Sequence, residues 1–423
     1  MNLSAYTKAP SHSETETVSP ITTKHIMSKP SLHFDNKTSK QQTFLYFYAY
    51  LTLGAVISSL GPTLHYLSGN THVGFDLIGL TFSARSFGYL IGSFVLGRLY
   101  DRIPGHKILL GLFAVSVLII ITIPLVPSIS ILLMMMFFIG TAMGGVDVGS
   151  NTLVVWVHGH RSSPFLTAMF FFAGIGSILA PLIVSFFDQT PNGNLYAYLL
   201  LGAMLVPGLI AASKIPSPPI KVRSENKTAA PLPVFPFTVF AMLFMFYVGA
   251  EVSFGGWIHT FVTNSHLGNA HTASLVNSVF WIAITLGRLL MVPIAAKVSP
   301  KKLIIGCLSS AVVSMGIILA FPNSLTAIWV MTLGVGFSIA SIFPITFSIT
   351  EQMIPLTGAR NGILWAAGSA GGIIFPWLIG KEIQQAGSTA FPRILLFAWA
   401  AALLLFGSIL FYQAMNRKRE ETN

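Results

Sequence analysis

Four charged residues, Arg85, Asp147, Glu251 and Arg288, stand inside long apolar runs, where an ionised side chain is costly to keep and therefore a candidate for function. Glu251 lies in VGAEVSFGGWIHTF with no basic residue nearby in sequence. A carboxylate held in apolar surroundings without a cation is suited to taking up and releasing a proton. Gly255 and Gly256 are expected to loosen the helix there, and the ring of Trp257 offers a face suited to stacking on a sugar. Asp147 lies in GTAMGGVDVGSNT, with Asn151 one turn further along the same face. Close backbone approach at Gly144, Gly145 and Gly149 would leave room for a solute beside that carboxylate. Two roles are open for Asp147: a proton-accepting or solute-binding carboxylate, or a structural ion pair with Arg85 that holds one bundle together. Arg85, one turn from Tyr89, either contacts solute or neutralises Asp147, and Arg288, which follows Gly287, is expected as a structural or gating cation. Asn277, Trp281 and Trp365 are candidates to line the same cavity, with ordinary packing the alternative for each.

The elements that must position these residues are long helices. Of 423 residues, 53% are hydrophobic and only 9% charged, far below the roughly quarter that is usual in soluble domains. Such a chain must place most of its length in lipid, as helices that satisfy their own backbone hydrogen bonds. Apolar runs reach spanning length, about 20 residues, at 43–67, 75–97, 107–126, 130–157, 165–187 and 195–213, then at 235–262, 272–296, 302–321, 325–350, 360–380 and 390–413. The expected fold is an all-α membrane protein of twelve transmembrane helices in two six-helix, pseudo-symmetric halves. Its parts are a disordered tail (1–42), a first bundle (43–213), a Pro-rich basic linker (214–234), a second bundle (235–413) and a short tail (414–423).

With the N-terminus inside, twenty of the twenty-four Lys and Arg residues fall in cytoplasmic segments and only Lys381 and Arg393 outside. That bias places both termini in the cytoplasm and explains the net charge of +11 without a nucleic-acid partner. The single cysteine, Cys307, excludes an internal disulfide. No phosphate-binding loop, metal-ligand spacing or catalytic triad is present, so neither enzyme activity nor a cofactor or bound metal is expected.

Between the second and third runs, Gly97 to Lys107 reads GRLYDRIPGHK. Asp101 can cap a neighbouring helix or pair with Arg102 and so lock the cytoplasmic ends together. Gly97, Gly105 and Lys107 complete a candidate gate. The two halves also repeat at an offset of 195, which lays Gly54 on Gly249, Gly61 on Gly256, Lys107 on Lys302, Gly176 on Gly371 and Pro181 on Pro376. Such parallel repeats are an architecture of secondary transporters. The loop resembles the one between helices 2 and 3 of the major facilitator superfamily, with Arg98 and Pro104 as departures from its pattern. Segments LGPTL (60–64), SARSFGYLIGS (83–93), GGVDVGSN, GIGSILAPLI (174–183) and EVSFGGWI resemble the fucose permease and sodium-dependent glucose transporter branch, over roughly 43–413. Asp147 matches the helix 4 carboxylate of fucose permease and Glu251 the helix 7 glutamate of the glucose-transporter branch. Gly61-Pro62 replaces the helix 1 aspartate of fucose permease, and Phe170 stands where the glucose-transporter branch commonly has a histidine.

The resemblance implies a monomeric secondary transporter in a lipid bilayer, in the cell membrane, moving a sugar or similar small polar solute with a proton or sodium ion as the coupling ion. The other readings are an efflux antiporter for amphipathic compounds and a solute sensor that does not transport.

Overall fold

The computed structural model describes residues 36–220, 232–295, 297–354 and 357–422. Within them the chain forms twelve long helices: α1 (Lys37–Asn70), α2 (Leu80–Tyr100), α3 (Gly105–Thr122), α4 (Ile129–His158), α5 (Ser163–Phe187), α6 (Gly193–Lys214), α7 (Val234–Asn264), α8 (Ala270–Ala295), α9 (Pro300–Ala320), α10 (Leu325–Met353), α11 (Gly358–Ala386) and α12 (Ala390–Thr422). Eleven are long and apolar enough to cross a membrane. The other is α2, where Arg85, Arg98 and three serines dilute the apolar residues. The run expected at 75–97 is divided: a four-residue turn, Phe75–Ile78, precedes α2.

Helix also extends past the expected spans at both ends. Asn36 and Ser39 form a reciprocal capping box, with the Asn36 side chain accepting from the Ser39 amide at 2.8 Å, so α1 begins at Lys37 rather than at 43. At the other end α12 runs to Thr422, through residues expected as a tail. Most of the expected N-terminal tail and the centre of the linker, 1–35 and 221–231, lie outside the described residues. The start of the linker is pinned. Gln42 donates to the Pro216 carbonyl at 2.8 Å, and His106 bonds the Ile215 carbonyl at 2.8 Å.

Within the first half α1 packs on α5, α2 on α4 and α3 on α6; in the second, α7 packs on α11, α8 on α10 and α9 on α12. Glycine permits the closest of these approaches, because small residues let helix backbones touch where apolar burial supplies no drive. A Cβ on Gly176 would lie 1.8 Å from the Leu51 carbonyl, and one on Gly371 would lie 1.9 Å from the Met245 carbonyl. These equivalent contacts correct the repeat. The fifth helices of the halves stand 195 residues apart (176 to 371), but the first helices stand 194 apart (51 to 245). Ala55, not Gly54, is therefore the counterpart of Gly249. The turns after α1 and α7 follow the same register, since His72 and His266 both adopt φ of 54°, a rare conformation for a non-glycine residue.

The halves meet at the face remote from Lys37 of α1. There Ser83 donates to the Ile373 carbonyl at 2.6 Å, Ser86 to the Gly372 carbonyl at 3.1 Å, and the Phe75 amide to the Gln384 side chain at 3.0 Å. Ser185 and His271 bond at 2.7 Å across α5 and α8. Toward the terminal face the loop residues Asp101 and Arg102 are exposed, and mid-helix Asp147 and Glu251 keep part of their surface accessible.

Candidate functional site

In the first half the chemistry gathers around Asp147. The hydroxyls of Tyr50 on α1 and Tyr89 on α2 donate to its two carboxylate oxygens. Asn151 donates to the same carboxylate at 3.1 Å, to the Asp147 carbonyl at 3.0 Å, and also bonds the Tyr50 hydroxyl. What sets this geometry is the close contact of α2 with α4. A Cβ on Gly144 would stand 2.3 Å from the Tyr89 carbonyl, and one on Gly140 would stand 2.0 Å from the Arg85 carbonyl. The two helices run parallel, so Arg85 lies level with Gly140 and Tyr89 with Gly144.

That register overturns the Arg85–Asp147 pair. Seven residues separate Gly140 from Asp147 along α4, about 10 Å at 1.5 Å per residue. Arg85 instead donates to the Ile57 carbonyl at 2.9 Å and lies over the Phe82 ring, 5.5 Å from its centroid. Asp147 is thus held by neutral donors, three side chains from three positions, and among the described residues by no cation.

In the second half the arrangement differs. The groups acting on the Glu251 carboxylate are the Arg288 guanidinium of α8 and the Tyr247 hydroxyl one turn back. Tyr247 also donates to the Ile339 carbonyl at 3.3 Å. Among the described residues Glu251 makes no close ion pair, and the cation that acts on it at longer range, Arg288, stands on the next helix. Arg288 also lies 5.7 Å from the centroid of the Phe170 ring of α5, which meets Tyr50 edge-on at 5.6 Å. Phe170 stands between the two carboxylate clusters and touches a member of each.

The remaining candidates divide. Trp257 has no accessible surface; it donates to the Pro376 carbonyl at 2.9 Å and packs on Phe75 and Phe82 in the closed face. No ring face is free for stacking. The expected break at Gly255-Gly256 is absent, since α7 is continuous. Those glycines admit neighbours instead: a Cβ on Gly256 would meet Phe82 at 2.6 Å, and one on Gly255 would meet Trp281 at 2.9 Å. Asn277 is buried, donating to the Gly255 carbonyl at 2.7 Å and accepting from Trp281 at 3.0 Å. Trp365 is 44% exposed and stacks near Phe343 in an apolar groove with Phe244, Val248 and Phe347.

In the loop, Asp101 ends α2, and among the described residues neither Asp101 nor Arg102 makes a side-chain hydrogen bond or ion pair. The expected pairing of Asp101 with Arg102 is not made among the described residues. Gly97 faces Val148 at 3.6 Å, Gly105 leaves no room for a Cβ beside Leu153 at 2.5 Å, and Lys107 is exposed. The anchoring is done by His106, whose second ring nitrogen bonds the Tyr46 hydroxyl at 2.9 Å. Sequence reasoning missed Tyr50, Tyr247 and His106 as functional partners. Tyr247 was within reach, since a tyrosine four residues before Glu251 must share its face. Tyr50 carries no such signal.

Comparison with known proteins follows this geometry. The chain is 27% identical over 403 residues to the sodium-dependent glucose transporter 1A of Mus musculus, covering 86% of this chain and 93% of that one. It is 26% identical over 473 residues to the major facilitator superfamily domain-containing protein 4A of Xenopus tropicalis, covering 90% and 93%. Among solved structures, the partially occluded inward-open xylose transporter XylE of E. coli superposes with a TM-score of 0.73 at 14% identity, over 88% of this chain and 98% of that one. The family model described as Major Facilitator Superfamily matches residues 44–376. With that match spanning most of the chain, the protein belongs to the Major Facilitator Superfamily of multi-pass membrane transporters.

Proposed function

We propose that this protein is an ion-coupled symporter that carries a sugar or similar small polar solute across the cell membrane, as a monomer with both termini in the cytoplasm. The observation that carries the reading is the pair of unlike carboxylate sites, one in each half. Two tyrosine hydroxyls and an amide around Asp147 form a set of donors and acceptors that a polyhydroxylated solute can replace one for one. Asp147, Asn151, Tyr50 and Tyr89 are assigned to solute, with Trp365 at the mouth of the cavity. Glu251, with Arg288 as its internal cation, is assigned to coupling: a proton or sodium ion arriving at the carboxylate displaces the guanidinium. Asp101 and Arg102 latch the cytoplasmic face in the opposite state, with Gly97, Gly105 and Lys107 shaping that loop. Glucose-transporter relatives support the solute class.

The test is uptake of labelled hexoses into proteoliposomes, with proton and sodium gradients imposed separately. Accumulation under one gradient, competed by unlabelled sugar, is expected and names the ion. Failure with every hexose under both gradients sinks the sugar assignment. The apolar groove of Phe244, Val248, Phe343, Phe347 and Trp365 favours a second reading, export of amphipathic compounds, and gradient-driven extrusion of such a dye would establish it instead.

A further inference from the structure

Arg85 poses a problem that the transport cycle does not answer. It is 7% exposed, inside the first bundle. Its guanidinium carries five N–H donors, and one hydrogen bond, to the Ile57 carbonyl, is made. Among the described residues no carboxylate pairs with it. It shares a cavity with the Tyr198 hydroxyl, itself bonded to Thr63 at 2.8 Å. A buried cation left with unsatisfied donors is among the most unfavourable groups a helix bundle can hold, and proteins ordinarily supply an opposite charge.

The structure supplies a place for one. Arg85, Ser59 and Tyr198 line a small cavity whose other walls are apolar, Val56, Ile120 and Met136 among them, with room for about one water-sized particle. Apart from the Ser59 and Tyr198 hydroxyls the walls are apolar, and none of them carries a negative charge to offset Arg85. A single small monovalent anion suits both the space and the charge, whereas a phosphate or a lipid headgroup is too large. The close α2–α4 contact at Gly140 holds Arg85 in place.

We propose that the first bundle contains a chloride site, made by the Arg85 guanidinium inside this cavity and separate from the solute and coupling clusters. The bound anion cancels the Arg85 charge and ties α2 to the surrounding helices of its half. The site is independent of which solute is carried.

The test uses the purified full-length protein in sodium gluconate, with gluconate replaced stepwise by chloride at constant ionic strength. The thermal unfolding midpoint is expected to rise with chloride and to saturate. Arg85→Met is expected to lose that dependence, and Arg85→Lys to keep it with weaker apparent affinity. A wild-type midpoint indifferent to chloride overturns the proposal, and so does an undiminished response in Arg85→Met. Should Arg85→Met fail to fold, crystals of the wild-type protein grown in bromide decide the matter. An anomalous peak within hydrogen-bond distance of the Arg85 guanidinium supports the site, and ordinary water there without anomalous signal overturns it.

Discussion

Asp147 and Glu251 are both lone acids within long apolar helices, yet the two halves of the molecule accommodate them in opposite ways. Asp147 is surrounded by neutral donors, Tyr50, Tyr89 and Asn151. Glu251 lies instead within the electrostatic reach of Arg288 and beside one tyrosine, Tyr247. The helices that carry Tyr50 and Glu251, α1 and α7, are copies, as the matched glycine contacts on Leu51 and Met245 demonstrate. In the 194-residue register Tyr50 corresponds to Phe244, Leu53 to Tyr247 and Ile57 to Glu251. One scaffold has thus been given two chemistries. Neutral donors stabilise a carboxylate while leaving its charge in place, whereas a guanidinium cancels it and makes any incoming cation a competitor. The first arrangement suits a neutral solute and the second a coupling ion.

Substitutions can break this contrast. The largest effect is expected from Glu251→Gln, which should reduce gradient-driven accumulation to simple equilibration while sparing exchange of solute down its own gradient. Concentrative uptake at the wild-type level by that variant would remove Glu251 from coupling. Asp147→Asn is expected to keep coupling but weaken solute binding by about 10- to 100-fold, the range for a lost hydrogen bond to a charged group. If Asp147→Asn uncouples transport and leaves the apparent KM unchanged, the two roles are reversed. Tyr50→Phe and Tyr89→Phe each remove one neutral donor and should raise the apparent KM by about 3- to 10-fold, read from initial uptake rates over a range of solute concentrations. Smallest is Phe170→Leu, which removes the ring beside Arg288. A shift of about 2- to 5-fold in the ion concentration for half-maximal uptake is expected, the size of an exposed cation–π contact; no shift would separate Phe170 from the coupling cluster.

A different pair of substitutions sharpens the symmetry itself. Gly176→Ala and Gly371→Ala place a methyl against equivalent carbonyls at 1.8 and 1.9 Å. Both should lower the thermal unfolding midpoint by similar amounts. A large effect in one half alone would mean that the helix pairs are not equivalent.

Much of this was legible in the chain itself. The number of helices, their division into halves and the four intramembrane charges follow from apolar runs and the residues that interrupt them. So did the shared face of Asp147 and Asn151, because i and i+4 positions align on any helix. The partners were not legible. Pairing with Asp147 was one of two roles open to Arg85, because both are charged and both lie in the first half, but the parallel register of α2 on α4 keeps them two turns apart. Glu251 looked unaccompanied because its cation stands on another helix, thirty-seven positions on (251 to 288). Trp257 looked like a solute platform because a tryptophan ring advertises its face, whereas the closed face of the molecule buries both sides of it.

By itself the sequence determined the solvent in which this protein lives, because backbone polar groups in a chain this apolar can be satisfied only as helices in lipid. It determined the duplication too, and which side chains share a helical face. Only the tertiary structure decided which carboxylate meets a cation, which meets hydroxyls, and that Arg85 meets neither. The physical reason is that helical periodicity orients side chains about one axis but says nothing of the height at which two helices dock. That height is set by where glycines let backbones touch, at Gly140, Gly144, Gly176 and Gly371, and shifting one helix against its neighbour by a single turn would change every polar partnership in the site.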